Sequence, residues 1–524
     1  MKNKLLFTDT EWTSDLISKT WDTIEKVAKE VCPPIDYYNP QIEIISAEQM
    51  LDAYSSVAMP LMYKHWSFGK EFVRNEQAYK KGKMGLAYEV VINTDPCLVY
   101  LMEDNTMTLQ TLVMAHAGVG HSGFFKNNYL FKMWTHADTI LNYLNYAKNF
   151  IESCEKRYGV EQVEAVLSAC HAIKYYSVDK CKRQLPNSKK EIQQREAREE
   201  YNEKQFNDLW RTLPKKDDDG FATMLDDMFD RMKDERAELK TTYFDLPDAI
   251  FPEENLLYFI EKYSANHAKS AKWIKEICSI VRTISQYFYP QMQTQIMNEG
   301  YATFTHYTLM TALHEKGYIN EGSYLEFLYT HSAVLYQPSH ASPHFNGINP
   351  YALGFAMFQD IKRICENPTA EDKKWFPTIV NTDWKEVIAD IVKNYRDESF
   401  ILQFLSPKVI RDFNFFTLLS TEKSKVYTVT HTQDDEDVVN IRRQLAQEYD
   451  LSYRTPHIEI KTVDWLGEGE NNGTLVLQYH SIDGKLLDYE EAKQTSSYVT
   501  FLWGGPVIIY YVGANGEAIE RVKI

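Results

Sequence analysis

Two histidines and a glutamate, far apart in this 524-residue chain, carry its strongest chemical signal. His116 and His121 lie in M-A-H-A-G-V-G-H-S-G-F-F, an apolar stretch cut by Gly118, Gly120 and Gly123. In a regular α-helix positions five apart point roughly 140° away from each other, so the two imidazoles could not share a ligand. A single wide turn would bring them together. Glycine inside a helix costs about 1 kcal/mol relative to alanine, so two glycines between two histidines predict a backbone distortion near Gly118 or Gly120, such as a π-bulge. Taken alone, the segment reads equally well as a pair of hydrogen-bonded core histidines beside a helix break.

Glu299 tips the balance. In MNEGYATFTHYTLM it lies seven residues before His306, within roughly 20° of it on a helix, with Thr303 between them on the same face. Met297, Phe304 and Tyr307 make that neighbourhood apolar, and no Lys or Arg lies within a turn of Glu299. A carboxylate buried there needs a cation. Two histidines and a glutamate are the usual protein ligands of a catalytic zinc, and they also match the two-histidine, one-carboxylate set of non-haem iron. The expected cofactor is therefore a divalent metal, zinc first, with iron and manganese as alternatives. Its ligands would be His116, His121 and Glu299, and His306 would be a fourth ligand or a proton-transfer group.

The elements that must position these residues are mostly helical. From about Thr10 to Tyr54 the pattern is amphipathic helix broken by Pro33, Pro34 and Pro40, and aromatics then crowd around His65. GLAYEVVINTDPCLVYLMED reads instead as a β-hairpin turning at Asp95-Pro96. Helical spacing resumes after a cap at Asn105 or Thr106, so strand, turn and helix deliver His116 and His121 to one place. Residues 182–250 are highly charged and read as an exposed, mobile helical excursion. Long core helices follow, with Pro290 inside one of them. From about 421 the texture changes to short strands around two helices. The expected fold is mainly α: a helical domain over 1–420 with a short hairpin, and a small α+β module over 421–524.

Composition narrows the function classes. A formal charge of −17 and a pI near 5.4 repel nucleic acid and anionic lipid. There is no apolar run long enough for an export signal or a bilayer span. Seven cysteines without a CxxC fit neither a disulfide framework nor a zinc ribbon, so the expectation is reduced thiols in a cytoplasmic protein. His65 reads as a packed histidine, His340 and His344 as loop residues, and WLGEGENNG as a hairpin turn rather than a phosphate loop. No Ser or Cys sits in a nucleophile motif.

DAYSSVAMPLMYKHWSFGK, GLAYEVVINTDPCLVYLMEDNTMTLQTLVMAHAGVGHSGFFKNNYLF, LWRTLP, ENLLYFIEK, SQYFYPQMQTQIMNEGYATFTHY and GINPYALGFAMFQDIKRIC closely resemble the SpoVR family, named for stage V sporulation protein R. The likeness runs from about Trp12 to Leu419 and more loosely beyond. It implies a cytoplasmic bacterial protein tied, in spore formers, to formation of the spore cortex. Members in bacteria without spores imply a stress or starvation role, with a serine protein kinase and a von Willebrand-type protein as partners. No biochemical activity follows from this resemblance.

HAGVGH followed far downstream by NEGYATFTHY also resembles zinc peptidases in which a later helix supplies the glutamate ligand, which implies a zincin-like site. One position departs from that pattern. Those enzymes carry a general-base glutamate directly after the first histidine, and here that residue is Ala117. Glu103, Glu89, His306 and Tyr307 are the candidates to replace it. Two classes of function stay open: a metal-dependent hydrolase, and a regulatory scaffold in which the same cluster is a closed structural site or empty.

Overall fold

The computed structural model describes residues 5–55, 59, 61–80, 89–178, 252–264, 272–339, 342–419, 428–430, 435–464, 473–481, 486–512 and 518–523. The charged stretch expected at 182–250 lies outside them, as does His340.

The chain is mainly helical with small sheets. It forms two compact units, the first Met1–Glu152, Ile277–His457 and Ser481–Leu487, the second Ser153–Glu276, Ile458–His480 and Asp488–Ile524. This departs from the expected division near 421. The helix Asp435–Tyr449 buries Val438, Ile441, Leu445 and Ala446 in the same cluster as Phe400 and Phe404, and Arg442 Nε donates to Leu405 O at 2.7 Å. Its apolar stripe completes the first unit's core.

In the first unit a three-stranded sheet flanks the candidate residues. Strands β2 (Glu89–Ile92) and β3 (Cys97–Met102) pair antiparallel around the expected turn. Strand β1 (Pro40–Ile45) pairs parallel with β3, so the sheet order is β1-β3-β2. The amphipathic pattern over residues 10–54 predicts helix for that segment. Its proline start and the β-branched Ile42, Ile44 and Ile45 suit a strand, and a neighbour already in place decides short ambiguous runs.

The helices around the site, numbered along the chain, begin with α1 (Ser14–Val31), capped by Thr13 and burying Ile17, Ile24, Val27 and Ala28 along one stripe. Helix α2 (Met107–Val113) opens where Thr106 Oγ1 accepts from Leu109 N, confirming the anticipated cap. It runs without a break through a π-helical segment (Met114–His121) into α3 (Ser122–Asn127). Later come α4 (Gln295–Glu315), α5 (Glu321–Val334) and α6 (Pro350–Glu366). One core cluster gathers Met297, Phe304, Leu353, Phe358 and Phe400, and another joins α1 to β3, Val113, Met310 and Leu313.

The first unit also holds the hairpin β4 (Thr417–Leu419) and β5 (Thr428–Thr430). The second unit carries a four-stranded sheet in the order β6 (His457–Asp464), β7 (Thr474–His480), β8 (Val507–Val512), β9 (Ala518–Lys523). Strands β7 and β8 are parallel, and the helix Tyr489–Trp503 lies between them in sequence. Trp503 is fully buried and its Nε1 donates to Gly473 O at 2.8 Å. Among the described residues no helix is long and apolar enough to cross a membrane.

Candidate metal centre

The π-helical segment closes its hydrogen bonds from residue i to i+5 instead of i+4, so residues five apart return to one face. The rings of His116 and His121 consequently lie 4.6 Å apart. The glycines between them also permit close approach. A Cβ on Gly120 would stand 2.6 Å from Ala302 Cα in α4, and one on Gly118 would stand 2.5 Å from the Trp21 ring. Helix α4 meets α6 in the same way, because a Cβ on Gly300 would lie 2.4 Å from Gly354 Cα.

Helix α4 is anchored at its start. The carboxylate of the fully buried Asp397 accepts from Ile296 N and Met297 N, both at 2.9 Å. That contact satisfies two of the amides every helix leaves open at its N-terminus. The next residues, Asn298 and Glu299, face the histidines.

Glu299 Oε2 lies 3.4 Å from His121 Nε2 and 3.9 Å from His116 Nε2. A second carboxylate comes from β2, where Glu89 Oε1 stands 3.2 Å from His116 Nε2. Ligand atoms of Glu89, His116 and His121 all lie within 4.8 Å of one another. The far nitrogens are engaged. His121 Nδ1 donates to Asn298 Oδ1 at 2.9 Å, and His116 Nδ1 lies 2.9 Å from His306 Nδ1. Both Nε2 atoms therefore face the carboxylates while the opposite edges hold the rings in orientation, the arrangement of ligand histidines.

Burial pushes the Glu89 carboxyl up, against the pull of His116 and His121 and with Glu299 adding to the push. Burial acts on Glu299 in the same direction, but His121 and His116 outweigh it and hold this carboxyl far below the usual range. For His121 burial opposes the charged form, and the Glu299 carboxylate overcomes it to push the imidazole up to about 9. His306 is driven well below its ordinary value by burial and by its histidine neighbours. Without a cation, the cluster holds charge by sharing protons.

That sharing is incomplete. Among the described residues Glu89 Oε2 is buried without a hydrogen-bond partner, as is Thr303 Oγ1 on the same face, and Glu299 Oε2 has only its loose ion-pair contacts with the two imidazoles. Unpaired buried carboxylate oxygens cost several kcal/mol at this depth. Two imidazole nitrogens with a carboxylate on either side, Glu89 near His116 and Glu299 near His121, are donors suited to zinc, iron or manganese, so the residues present fit a divalent cation.

The sequence matches the family described as SpoVR like protein over residues 11–454. The chain belongs to the SpoVR family. It is 47% identical over 514 residues to uncharacterized protein YcgB of Escherichia coli (strain K12), a match covering 98% of this chain and 95% of that one. No solved structure matches it. Glu89, His116, His121, Glu299 and His306 all lie inside the stretch that the SpoVR family match covers.

The other residues singled out from sequence are placed less centrally. His306 stands behind His116, away from the carboxylates, so its geometry is that of a support and not a fourth ligand. Tyr307 packs on His331 with ring centroids 5.0 Å apart. Glu103 is exposed after β3, where its backbone oxygen accepts from Trp12 Nε1, and it takes no part in the cluster. His65 packs with Trp66 and Phe68. Sequence reasoning named Glu89 only as a proton acceptor and missed Asn298 and His331. Asn298 had a signal, since an amide beside a buried ligand is a natural support.

Proposed function

We propose that this SpoVR-family protein is a divalent-metal protein with a zincin-like centre and hydrolase chemistry, in which Glu89 supplies the carboxylate that Ala117 cannot. The observation carrying this reading is Glu89 Oε1 at 3.2 Å from His116 Nε2, delivered by a strand instead of the histidine helix. His116, His121 and Glu299 would hold the metal, which when bound supplies Lewis acidity toward an oxygen of the substrate or of water. In this reading Glu89 accepts a proton from the attacking nucleophile, and burial raises its affinity for that proton. Both carboxylate side chains keep some exposure, 16% for Glu89 and 21% for Glu299.

A second reading rests on the same residue. If Glu89 is a fourth ligand, the set is closed, as in structural sites, and the protein is a regulatory scaffold. In either reading the family resemblance supports a cytoplasmic role in spore cortex formation or stress response, with a serine protein kinase and a von Willebrand-type protein as partners.

Metal analysis of Glu89→Gln protein purified without chelators separates the two. Retained metal with loss of hydrolysis across a panel of peptide and ester substrates supports the enzyme. Loss of metal supports the closed site, and a parent protein without any metal overturns both.

A further inference from the structure

Behind His116 lies a feature that the ligand set does not require. His116 Nδ1 is 2.9 Å from His306 Nδ1, and His306 Nε2 is 2.9 Å from His331 Nδ1. All three histidines are buried, and His306 and His331 sit among Phe327, Tyr307 and Phe355. Three consecutive imidazoles are an expensive filling for such a place unless each nitrogen–nitrogen contact holds a proton.

We propose that His306 and His331 are positioning residues: they form a one-way hydrogen-bonded chain that fixes His116 in the tautomer whose Nε2 is free for the cation. The proposal rests on the metal reading above. Its logic is a count of protons. A neutral imidazole has one N–H and one lone pair. Metal binding at His116 Nε2 puts that ring's proton on Nδ1, where it is donated to His306 Nδ1. His306 must then carry its own proton on Nε2 and donate it to His331 Nδ1. His331 is left protonated on Nε2. With no cation, His116 can instead donate from Nε2 to Glu89 Oε1, and all three rings can reverse. The chain thus has two complete arrangements, and the cation selects one.

The choice of imidazole in place of a carboxylate follows from charge. Two glutamates already balance a divalent ion, and a third carboxylate behind His116 would leave the buried site with a net negative charge. A neutral acceptor orients the ligand without adding charge.

The test uses the full chain and zinc as the probe, with affinity read by competition against a chromophoric chelator. His306→Leu, which removes the acceptor, weakens zinc binding by about 10- to 100-fold. His306→Gln restores most of it, because its side-chain carbonyl accepts from His116 Nδ1. His331→Leu gives a smaller loss. Folded His306→Leu protein that binds zinc as tightly as the parent overturns the chain while leaving the metal centre intact. A parent that binds no zinc removes the metal reading and this proposal together. Should His306→Leu fail to fold, ring-nitrogen NMR of the zinc-loaded parent decides. Protons on His116 Nδ1, His306 Nε2 and His331 Nε2 support the chain, and any one on the opposite nitrogen overturns it.

Discussion

The first unit brings His116 and His121 to Glu89 and Glu299, and the second brings His480 to Glu459, yet the two groupings differ in how far they satisfy themselves. His480 Nε2 meets Glu459 Oε1 directly at 2.8 Å, and the histidine side chain is 32% exposed. In the first unit the imidazoles come no nearer than 3.2 Å to Glu89 and 3.4 Å to Glu299, Glu89 Oε2 is buried without a hydrogen-bond partner among the described residues, and the histidine side chains are 5–6% exposed. A pair on a sheet beside solvent closes a direct hydrogen bond. A buried cluster that stops short of closing has room for something between its members.

The sharpest way to break that comparison is to count metal. The parent protein is expected to bind about one equivalent of zinc, manganese or iron, and His121→Ala to bind none, since one of three protein ligands is gone. His480→Ala should leave the stoichiometry unchanged. Elemental analysis giving two equivalents, one of them lost with His480→Ala, would place both groupings in one class.

Acidity separates cluster from pair next. In chelator-treated protein the His121 imidazole is raised from 6.5 to about 9. A raised folded-state value means that its stabilisation is fully present below pH 6.5 and is lost as pH climbs through about 9. Melting in chelator should therefore weaken over that window, by an amount on the order of 3 kcal/mol. Zinc-loaded protein should not follow, because a ligand histidine must be neutral. Parallel melting curves with and without zinc would remove the distinction.

The backbones offer a finer contrast. Gly120→Ala forces a Cβ against Ala302 Cα, and overpacking of this kind costs about 1–3 kcal/mol. It should also weaken zinc binding, because the histidine segment is pushed off α4. Gly504, which closes the Tyr489–Trp503 helix at φ 79, should cost about 1 kcal/mol as alanine and leave zinc binding untouched. Denaturant melts with zinc titrations of both variants check the difference.

Much of the first unit was legible before any coordinates. The hairpin at Asp95-Pro96, the Thr106 cap and the distortion between His116 and His121 each follow from local chemistry, where glycine cost, capping oxygens and alternation act within a few residues. Residues meeting across elements were harder. Glu89 opens a strand, so no helical spacing ties it to the histidines, and its contact with His116 depends on how β2 lies against the π-helical segment. His331 lies on α5, twenty-five residues beyond the histidine it supports. The strand β1 and the union of Asp435–Tyr449 with the first core likewise depend on partners brought by the fold.

The anchoring of α4 by Asp397 also governs mechanical precision. Helices bend, and positional error grows with distance from a fixed point, so a 21-residue rod pinned at one end is steadiest near the pin. Glu299 lies three residues past Ile296, about 4.5 Å along the axis, whereas the far end lies several turns beyond. The carboxylate whose partners are most remote in sequence is thus mounted on the shortest lever arm available. Errors from flexing grow toward the distal turns, where the only member of the cluster is His306, which reaches the metal site through His116 and carries no ligand atom.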